Sequence, residues 1–293
     1  MGVTDLDAKV ALAESKRSSA AYVELLQYVR KEKLRAPRVV AKYGKMLIQN
    51  HSWRLGSDIW SLYEQVFIAA LDLHDEQLAE ALKAQFPKSS RVARLEGMEL
   101  EQRGEFAKAE AIYDQVLSEN SANALVSKRK IAILKAQKKT SEVILALNEF
   151  LRSFQTDQGA WVELAETYLS IGAYRYAAFC YEELILLNPM DAIFHSRIAD
   201  IYSTLGGLDN LRVARKHYSH SIEINKHMNV RGYMGLLACT KAIAAHRSYK
   251  ADADDAGLNE RVQQFALDYL TQHYASNAPL DLAEAATTAF KTF

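Results

Sequence analysis

Glycine and proline are scarce in this chain, with 12 Gly and 4 Pro among 293 residues. Strands and the tight turns between them depend on these two residues, whereas long helices do not. A chain of this length can also bury a core large enough to be stable without crosslinks. The composition therefore predicts an all-α protein.

Cysteine is even rarer, because the chain has only Cys180 and Cys239 and no CxxC pair. This excludes a disulfide framework and a zinc ribbon, and it suits a reducing compartment. Cys180 lies between Phe179 and Tyr181 in a predicted helix, which favours a buried, inert thiol over a nucleophile.

Net charge and long apolar runs are also missing. The 36 Lys and Arg balance the 36 Asp and Glu, whereas phosphate binding requires a basic field, so we expect no nucleic-acid partner. No stretch approaches the roughly 20 apolar residues that cross a bilayer. The first residues, MGVTDLDAKV, lack the layout of a signal peptide. We expect a cytosolic protein without a direct lipid anchor.

A repeat of 34 residues organises the chain, since Gly104, Lys138, Gly172 and Gly206 each lie 34 positions apart. Its clearest copy contains, in order, Trp161, Leu164, Ala165, Tyr168, Gly172, Ala177, Tyr181 and Pro189. This pattern resembles the tetratricopeptide repeat (TPR), with Ala for its first Gly and Tyr for its Phe. The resemblance implies pairs of antiparallel helices.

The spacing explains how one repeat would fold. The four residues from Trp161 to Tyr168 lie at i, i+3, i+4 and i+7, which places them on one face of a first helix. Gly172 would end that helix in a turn. Small residues at Ala165 and Ala177 would let the two helices approach closely, and Pro189 would end the second helix.

These patterns predict a right-handed superhelical TPR solenoid with atypical helical caps. We expect a flexible N-terminus at 1–19, an N-terminal helical cap at 20–55 and about five repeats at 56–226. The C-terminal helices would occupy 227–293, with a solvated linker near 248–258.

Signatures of chemistry are weak. The chain has neither GxxxxGKS/T nor GxGxxG. Asp252, Asp254 and Gly257 match part of a calcium-binding loop, but Gln263 stands where that loop requires a bidentate Glu. His217 and His220 are three residues apart without further metal ligands, which favours surface histidines. We therefore expect no enzyme activity, cofactor or metal.

The concave face of a TPR solenoid, formed by the first helices, is where such proteins bind partners. From the repeat phase, this predicted groove includes Arg91, Arg94, Met98, Lys128, Lys135, Val162, Glu166 and Asp200. No Asn stands at a groove position, which disfavours a clamp for the acidic tail of a chaperone.

A more particular resemblance rests on the inserted turn GGLDNL at 206–211 and on segments 58–60, 128–133, 135–137, 147–149, 161–166 and 177–180. These resemble the subunit 2 family of the ER membrane protein complex. The resemblance implies a non-catalytic subunit on the cytosolic face of the endoplasmic reticulum, in an insertase for transmembrane segments. Its partners would be the other subunits. The alternative is a free-standing TPR adaptor or co-chaperone that binds peptides in the same groove.

Overall fold

The computed structural model describes residues 2–292 except 52–57, 85–88, 227–228, 248 and 250–252. The described residues form 16 helices and contain no strand, which confirms the all-α fold. They divide into two compact units, Met1–Ala136 and Gln137–Phe293. The predicted domain boundaries at 55–56 and 227 fall outside the described residues.

Unit 1 contains eight helices. They are α1 Gly2–Lys16, α2 Ser19–Lys31, α3 Pro37–His51, α4 Ile59–Asp72, α5 Glu76–Lys83, α6 Ser90–Gln102, α7 Phe106–Glu119 and α8 Ala124–Ala136.

Unit 2 also contains eight helices. They are α9 Thr140–Ser153, α10 Gln158–Ser170, α11 Tyr174–Leu187, α12 Ala192–Leu205, α13 Leu208–Ile224, α14 Val230–Ala244, α15 Ala253–Asn277 and α16 Leu280–Thr292.

Polar side chains begin many of these helices. Each accepts a hydrogen bond from a backbone N–H of the first turn, which satisfies a donor that has no partner within the helix. The capping residues are Ser18, Asp75, Ser89, Asp157, Asp191 and Asn229. Local sequence thus sets the start of most first helices of the repeats.

The turns inside the repeats each contain a residue with positive φ. Gly104, Gly172 and Gly206 have φ of 77°, 72° and 68°, and Lys138 has φ of 59°, while Gly206 differs from the others in having a ψ of −176°. After α10, the N–H of Ala173 donates to the carbonyl of Tyr168 at 2.9 Å, as expected where a left-handed residue ends a helix. The 34-residue phase is therefore confirmed in the backbone, including the copy that has Lys in place of Gly.

Close helix packing inside the repeats follows the small residues. Ala165 and Ala177 are both fully buried. In the α6–α7 copy, two repeats earlier, a Cβ added to Gly97 would lie 2.3 Å from the ring of Tyr113. The backbone of α6 thus contacts that ring directly, which only a glycine allows.

The N-terminus differs from the prediction of a flexible segment at 1–19. Residues 2–16 form α1, in which Ala13 is buried against the first core cluster of unit 1. Tyr28 donates a hydrogen bond to Asp5, and Tyr43 donates one to Glu14. The sequence prediction missed this helix because its apolar stripe is short, and its two tyrosine contacts join residues 23 and 29 positions apart.

The predicted linker near 248–258 is corrected from Ala253 onwards, where α15 begins, while residues 248 and 250–252 lie outside the described residues. Asp255 accepts hydrogen bonds from Arg212 at 2.9 Å and from Arg215 at 2.6 Å, both on α13. Asn259 accepts from Arg215 and donates to the carbonyl of Thr240 on α14. Asp255, which the sequence suggested to be part of a solvated linker, lies instead in the first turn of a helix, where negative charge is stabilising.

Replacing Gly172 by Ala is expected to destabilise the protein by about 1–2 kcal/mol, since an L-residue is strained in the left-handed region. No atom lies within 4 Å of a Cβ added at Gly172, so the effect comes from the backbone alone. Lys138→Ala is the matched control, because the native residue already bears this strain, and a change below about 0.5 kcal/mol is expected. Urea unfolding of both variants measures this, and equal losses would contradict the shared turn geometry.

Candidate partner-binding site

A recess of about 790 Å³ lies on the surface of unit 1. The end of α2, the α2–α3 loop and helices α4, α6 and α8 surround it. Its apolar lining includes Val29, Leu34, Val40, Ile68, Met98 and Phe106. A cleft of this size with an apolar lining is suited to side chains of a bound segment.

Charged side chains also line this recess, and most of them are paired. Arg35 contacts Asp72 at 2.7 Å, and Arg129 donates to Glu101 at 2.9 Å through its Nε. Arg30 donates only to the neutral amide of Gln65, at 3.3 Å. Within the described part of unit 1, no carboxylate pairs with the exposed side chains of Arg30 and Lys33, which leaves the recess with excess positive charge.

Tyr113 illustrates a polar cluster that recurs in the repeats. Its buried hydroxyl, on α7, donates to Glu101 of α6, and Glu101 also binds Arg129 of α8. One carboxylate therefore satisfies a buried phenol and neutralises a guanidinium from the next first helix. Charge-assisted hydrogen bonds of this kind are stronger than neutral ones.

Unit 2 contains the same kind of cluster twice. Tyr181 donates to Glu166 at 3.0 Å, and Arg197 lies 3.8 Å from that carboxylate.

In the second of these clusters, Tyr218 donates to Asp200 at 2.6 Å, and Arg231 donates to the other oxygen of Asp200 at 2.7 Å. A smaller recess of about 400 Å³ surrounds it, with Leu169 and Tyr174 as apolar lining. Both of its arginines, Arg197 and Arg231, lie near acidic groups, so this recess has little excess charge.

The eight residues predicted for the groove are divided between the two units. Unit 1 holds Arg91, Arg94, Met98, Lys128 and Lys135, and unit 2 holds Val162, Glu166 and Asp200. Met98 lines the recess of unit 1, and Asp200 lines that of unit 2.

Arg91 and Arg94 do not line the recess. Both bind the carboxylate of Glu64 on α4, Arg91 at 2.7 Å, so they join α6 to α4. The repeat phase predicted that both arginines face the groove. It could not reveal that Glu64, 27 and 30 residues earlier in the chain, binds them.

Arg30 and Lys33 were missed as site residues. Sequence analysis assigned them to a helical cap and not to a first helix of a repeat. Their signal was a basic run from the end of α2 to the start of α3, which contains Arg30, Lys31, Lys33, Arg35 and Arg38 within nine positions. Only the fold shows which of these line the recess.

The histidines are not all on the surface. His195 is buried, and its Nδ1 lies 3.2 Å from the Nδ1 of half-buried His217, while His220 is exposed. Burial lowers the pKa of both His195 and His217. In the described residues, no group of three or more His, Cys, Asp or Glu could hold a metal ion.

The other candidates for chemistry are explained by packing. Cys180 is fully buried, and burial raises the pKa of its thiol to about 12, which keeps it protonated. Gly257 lies inside α15 and not in a calcium-binding loop, while Asp252 lies outside the described residues.

A search of the described helices for a membrane span finds none that is both long and apolar enough.

Comparisons with known proteins agree with this geometry. The C-terminal part of a TPR repeat-containing protein from Cytophaga hutchinsonii superposes with a TM-score of 0.54. The match has 14% identity and covers 96% of this chain and 98% of that one. Together with the repeat turns, this likeness places the chain among the TPR helical repeat proteins.

Sequence comparisons assign the chain to a particular family among the TPR proteins. Residues 71–209 match the model of the EMC2 TPR-like repeat domain. ER membrane protein complex subunit 2-A of Xenopus laevis is 43% identical over 221 residues, covering 74% of each chain. The subunit 2 of Dictyostelium discoideum is 34% identical over 208 residues, covering 69% of this chain and 65% of that one. The chain belongs to the ER membrane protein complex subunit 2 family.

Stability should fall in alkaline solution because of the three tyrosine clusters. Burial, and then the neighbouring carboxylate, raises the pKa of Tyr113, Tyr181 and Tyr218. Above pH ~10 the unfolded chain releases phenol protons that the native state keeps, so the free energy of unfolding decreases as pH rises.

Urea unfolding between pH 8 and 11 measures this effect. Tyr218→Phe should reduce the slope of the unfolding free energy by up to about 1.4 kcal/mol per pH unit. Tyr176→Phe is the control, because Tyr176 is exposed. An unchanged slope for Tyr218→Phe would show that this phenol ionises equally in both states.

Proposed function

We propose that this chain is a non-catalytic scaffold subunit of the ER membrane protein complex. It holds cytosolic parts of membrane-embedded subunits in an insertase for transmembrane segments, including those of tail-anchored and multipass proteins. The observation that carries the proposal is the open recess of unit 1 in a chain of this family. Its surface offers shape and charge that suit a bound segment.

The recess indicates what kind of segment it holds. Its lining around Val40, Ile68 and Met98 favours apolar side chains. Arg30 and Lys33 add positive charge that no carboxylate of the described chain neutralises. A segment with apolar residues next to Asp or Glu matches both properties, since complementary charge increases the rate and specificity of association.

The predicted groove residues have two roles in this proposal. Met98 contacts the bound segment in unit 1. Arg91 and Arg94 fix the neighbouring helices through Glu64. Lys128 and Lys135 on α8 extend the partner surface of unit 1 beyond the recess. Val162, Glu166 and Asp200 belong to a partner surface of unit 2.

The location follows from the same partners. The chain is peripheral at the cytosolic face of the endoplasmic reticulum and associates through proteins and not through lipid. Support comes from the names of the family members, which place them in the ER membrane protein complex. A neutral overall charge supports the exclusion of nucleic acid.

Reversing the charge at the recess tests the proposal. Arg30→Glu combined with Lys33→Glu should reduce the recovery of membrane-embedded subunits by at least about tenfold, because an acidic segment would then be repelled. The measurement is quantitative mass spectrometry after affinity purification of the tagged chain from gently solubilised membranes.

The matched control is Lys138→Glu combined with Lys216→Glu. This control makes the same change in charge as the test variant. Each variant also replaces one lysine with positive φ, Lys33 in the test and Lys138 in the control. Equal recovery with both double variants would contradict a role for the recess. Recovery of no integral membrane protein with the unaltered chain would instead favour the free-standing adaptor.

A further inference from the structure

Helix α11 of unit 2 has an apolar stripe that faces away from the core. Tyr176, Phe179, Leu186 and, just after the helix, Met190 are 64%, 52%, 76% and 69% exposed. Tyr176, Phe179, Glu183 and Leu186 are spaced by three, four and three residues, which places them along one side of α11, and Met190 follows in the turn after the helix. We call these five residues the outer stripe.

The opposite face of α11 already forms core. Its buried residues are Ala177, Ala178, Cys180, Tyr181 and Leu184. The helix is therefore apolar on two sides, and a helix of that kind is normally covered on both. The packing of unit 2 covers only one of them.

Most of the corresponding positions in α9 and α13 are polar, with Leu145 and Val213 as the exceptions. Counting back 34 residues from the outer stripe gives Glu142, Leu145, Glu149 and Arg152 on α9. Counting forward 37 residues, to allow for the inserted turn, gives Val213, Lys216, His220 and Glu223 on α13. The apolar character thus belongs to α11 and is not a property of the repeat.

Two rings of the outer stripe are held in place before any partner binds. Tyr176 stacks on Tyr168 of α10 with ring centroids 5.2 Å apart. Phe179 meets Trp161 of α10 edge to face at 6.1 Å. Aromatic side chains that are already ordered lose little conformational entropy on binding, which favours an interface.

Glu183 lies in the middle of the outer stripe and determines the charge of the partner. In the described part of the chain no cationic side chain pairs with it, and Glu182 beside it accepts a hydrogen bond only from Tyr202. A partner that covers the stripe removes Glu183 from water. This is unfavourable unless the partner supplies a positive charge at that point.

We propose that the outer stripe binds an amphipathic helix of a partner protein whose apolar stripe carries an Arg or Lys at its centre. A helix is the occupant because spacings of three and four residues match the ridges and holes of a second helix. The central cation pairs with Glu183, and Tyr176 and Phe179 pack against the apolar residues on one side of it. This surface is separate from the recess of unit 1 and does not depend on the proposed function.

Two other occupants fit less well. A second copy of this chain, paired antiparallel through the centre of the stripe, would place two Glu183 carboxylates opposite each other. A lipid surface with anionic headgroups would be repelled by Glu182 and Glu183. Both remain as outcomes of the experiment.

The first experiment selects binders from a displayed library of 21-residue helices, with the full-length chain as the target. The enriched helices should carry an Arg or Lys in the middle of an apolar stripe. Binding of these peptides should weaken at least tenfold with Leu186→Ser. It should not change with the matched control Leu282→Ser, which alters an exposed leucine of α16.

Helices that bind both variants equally occupy another surface, and a selection that yields only such helices would overturn the proposal. Circular dichroism and thermal unfolding should match the unaltered chain for both variants, because both leucines are exposed. A loss of binding without a loss of structure therefore reports on the stripe.

The second experiment exchanges the charges. Glu183→Lys should weaken the binding of the best Arg-centred peptide at least tenfold, and a peptide with Glu in place of that Arg should restore it. Binding that is indifferent to Glu183→Lys would refute the central ion pair.

Sedimentation of the chain alone, and flotation with vesicles of phosphatidylcholine and phosphatidylserine, test the other occupants. Self-association that disappears with Leu186→Ser would assign the stripe to a second copy of the chain. Flotation that disappears with the same variant would assign it to lipid. Either result would overturn the proposal, and neither bears on the Arg30 and Lys33 test of the recess.

Discussion

The hydrogen bond between a buried tyrosine and a carboxylate determines much of the packing within each unit. A fully buried phenol requires an acceptor, because an unpaired buried hydroxyl is destabilising. Tyr113, Tyr181 and Tyr218 each find it in an acidic residue of the preceding helix. That carboxylate then attracts an arginine from the next first helix. A single polar contact thus joins three successive helices and fixes their spacing.

These clusters also determine how much charge the surface presents to a partner. Where a carboxylate is used by a phenol and a guanidinium, it adds little to the field felt by a partner. The charges that remain unpaired include Arg30 and Lys33 at the recess of unit 1. In unit 2 they include Glu183, within the outer stripe of α11. Both proposals for partner binding rest on these few groups that intramolecular pairing leaves over.

The C-terminal part of unit 2 is held by a related interaction. Arg215 is buried and binds both Asp255 and Asn259, so the first turns of α15 are attached to α13. Breaking one side of a buried ion pair leaves an uncompensated charge, which makes the attachment specific. The helices after the last clear repeat are thereby part of the folded unit, as the atypical end of a repeat array requires.

The sequence alone determined the helical fold, the 34-residue phase and the left-handed turns, since these depend on residues close together in the chain. It also placed Cys180 in the core, and its resemblance to the subunit 2 family was correct. Only the tertiary structure decided which charges are paired, because Glu64 and Arg91, or Arg215 and Asp255, lie 27 and 40 residues apart. For the same reason it alone revealed α1, the start of α15 and the recess beside Arg30 and Lys33. Local spacing predicts which face of a helix is apolar, but not which distant residue meets it.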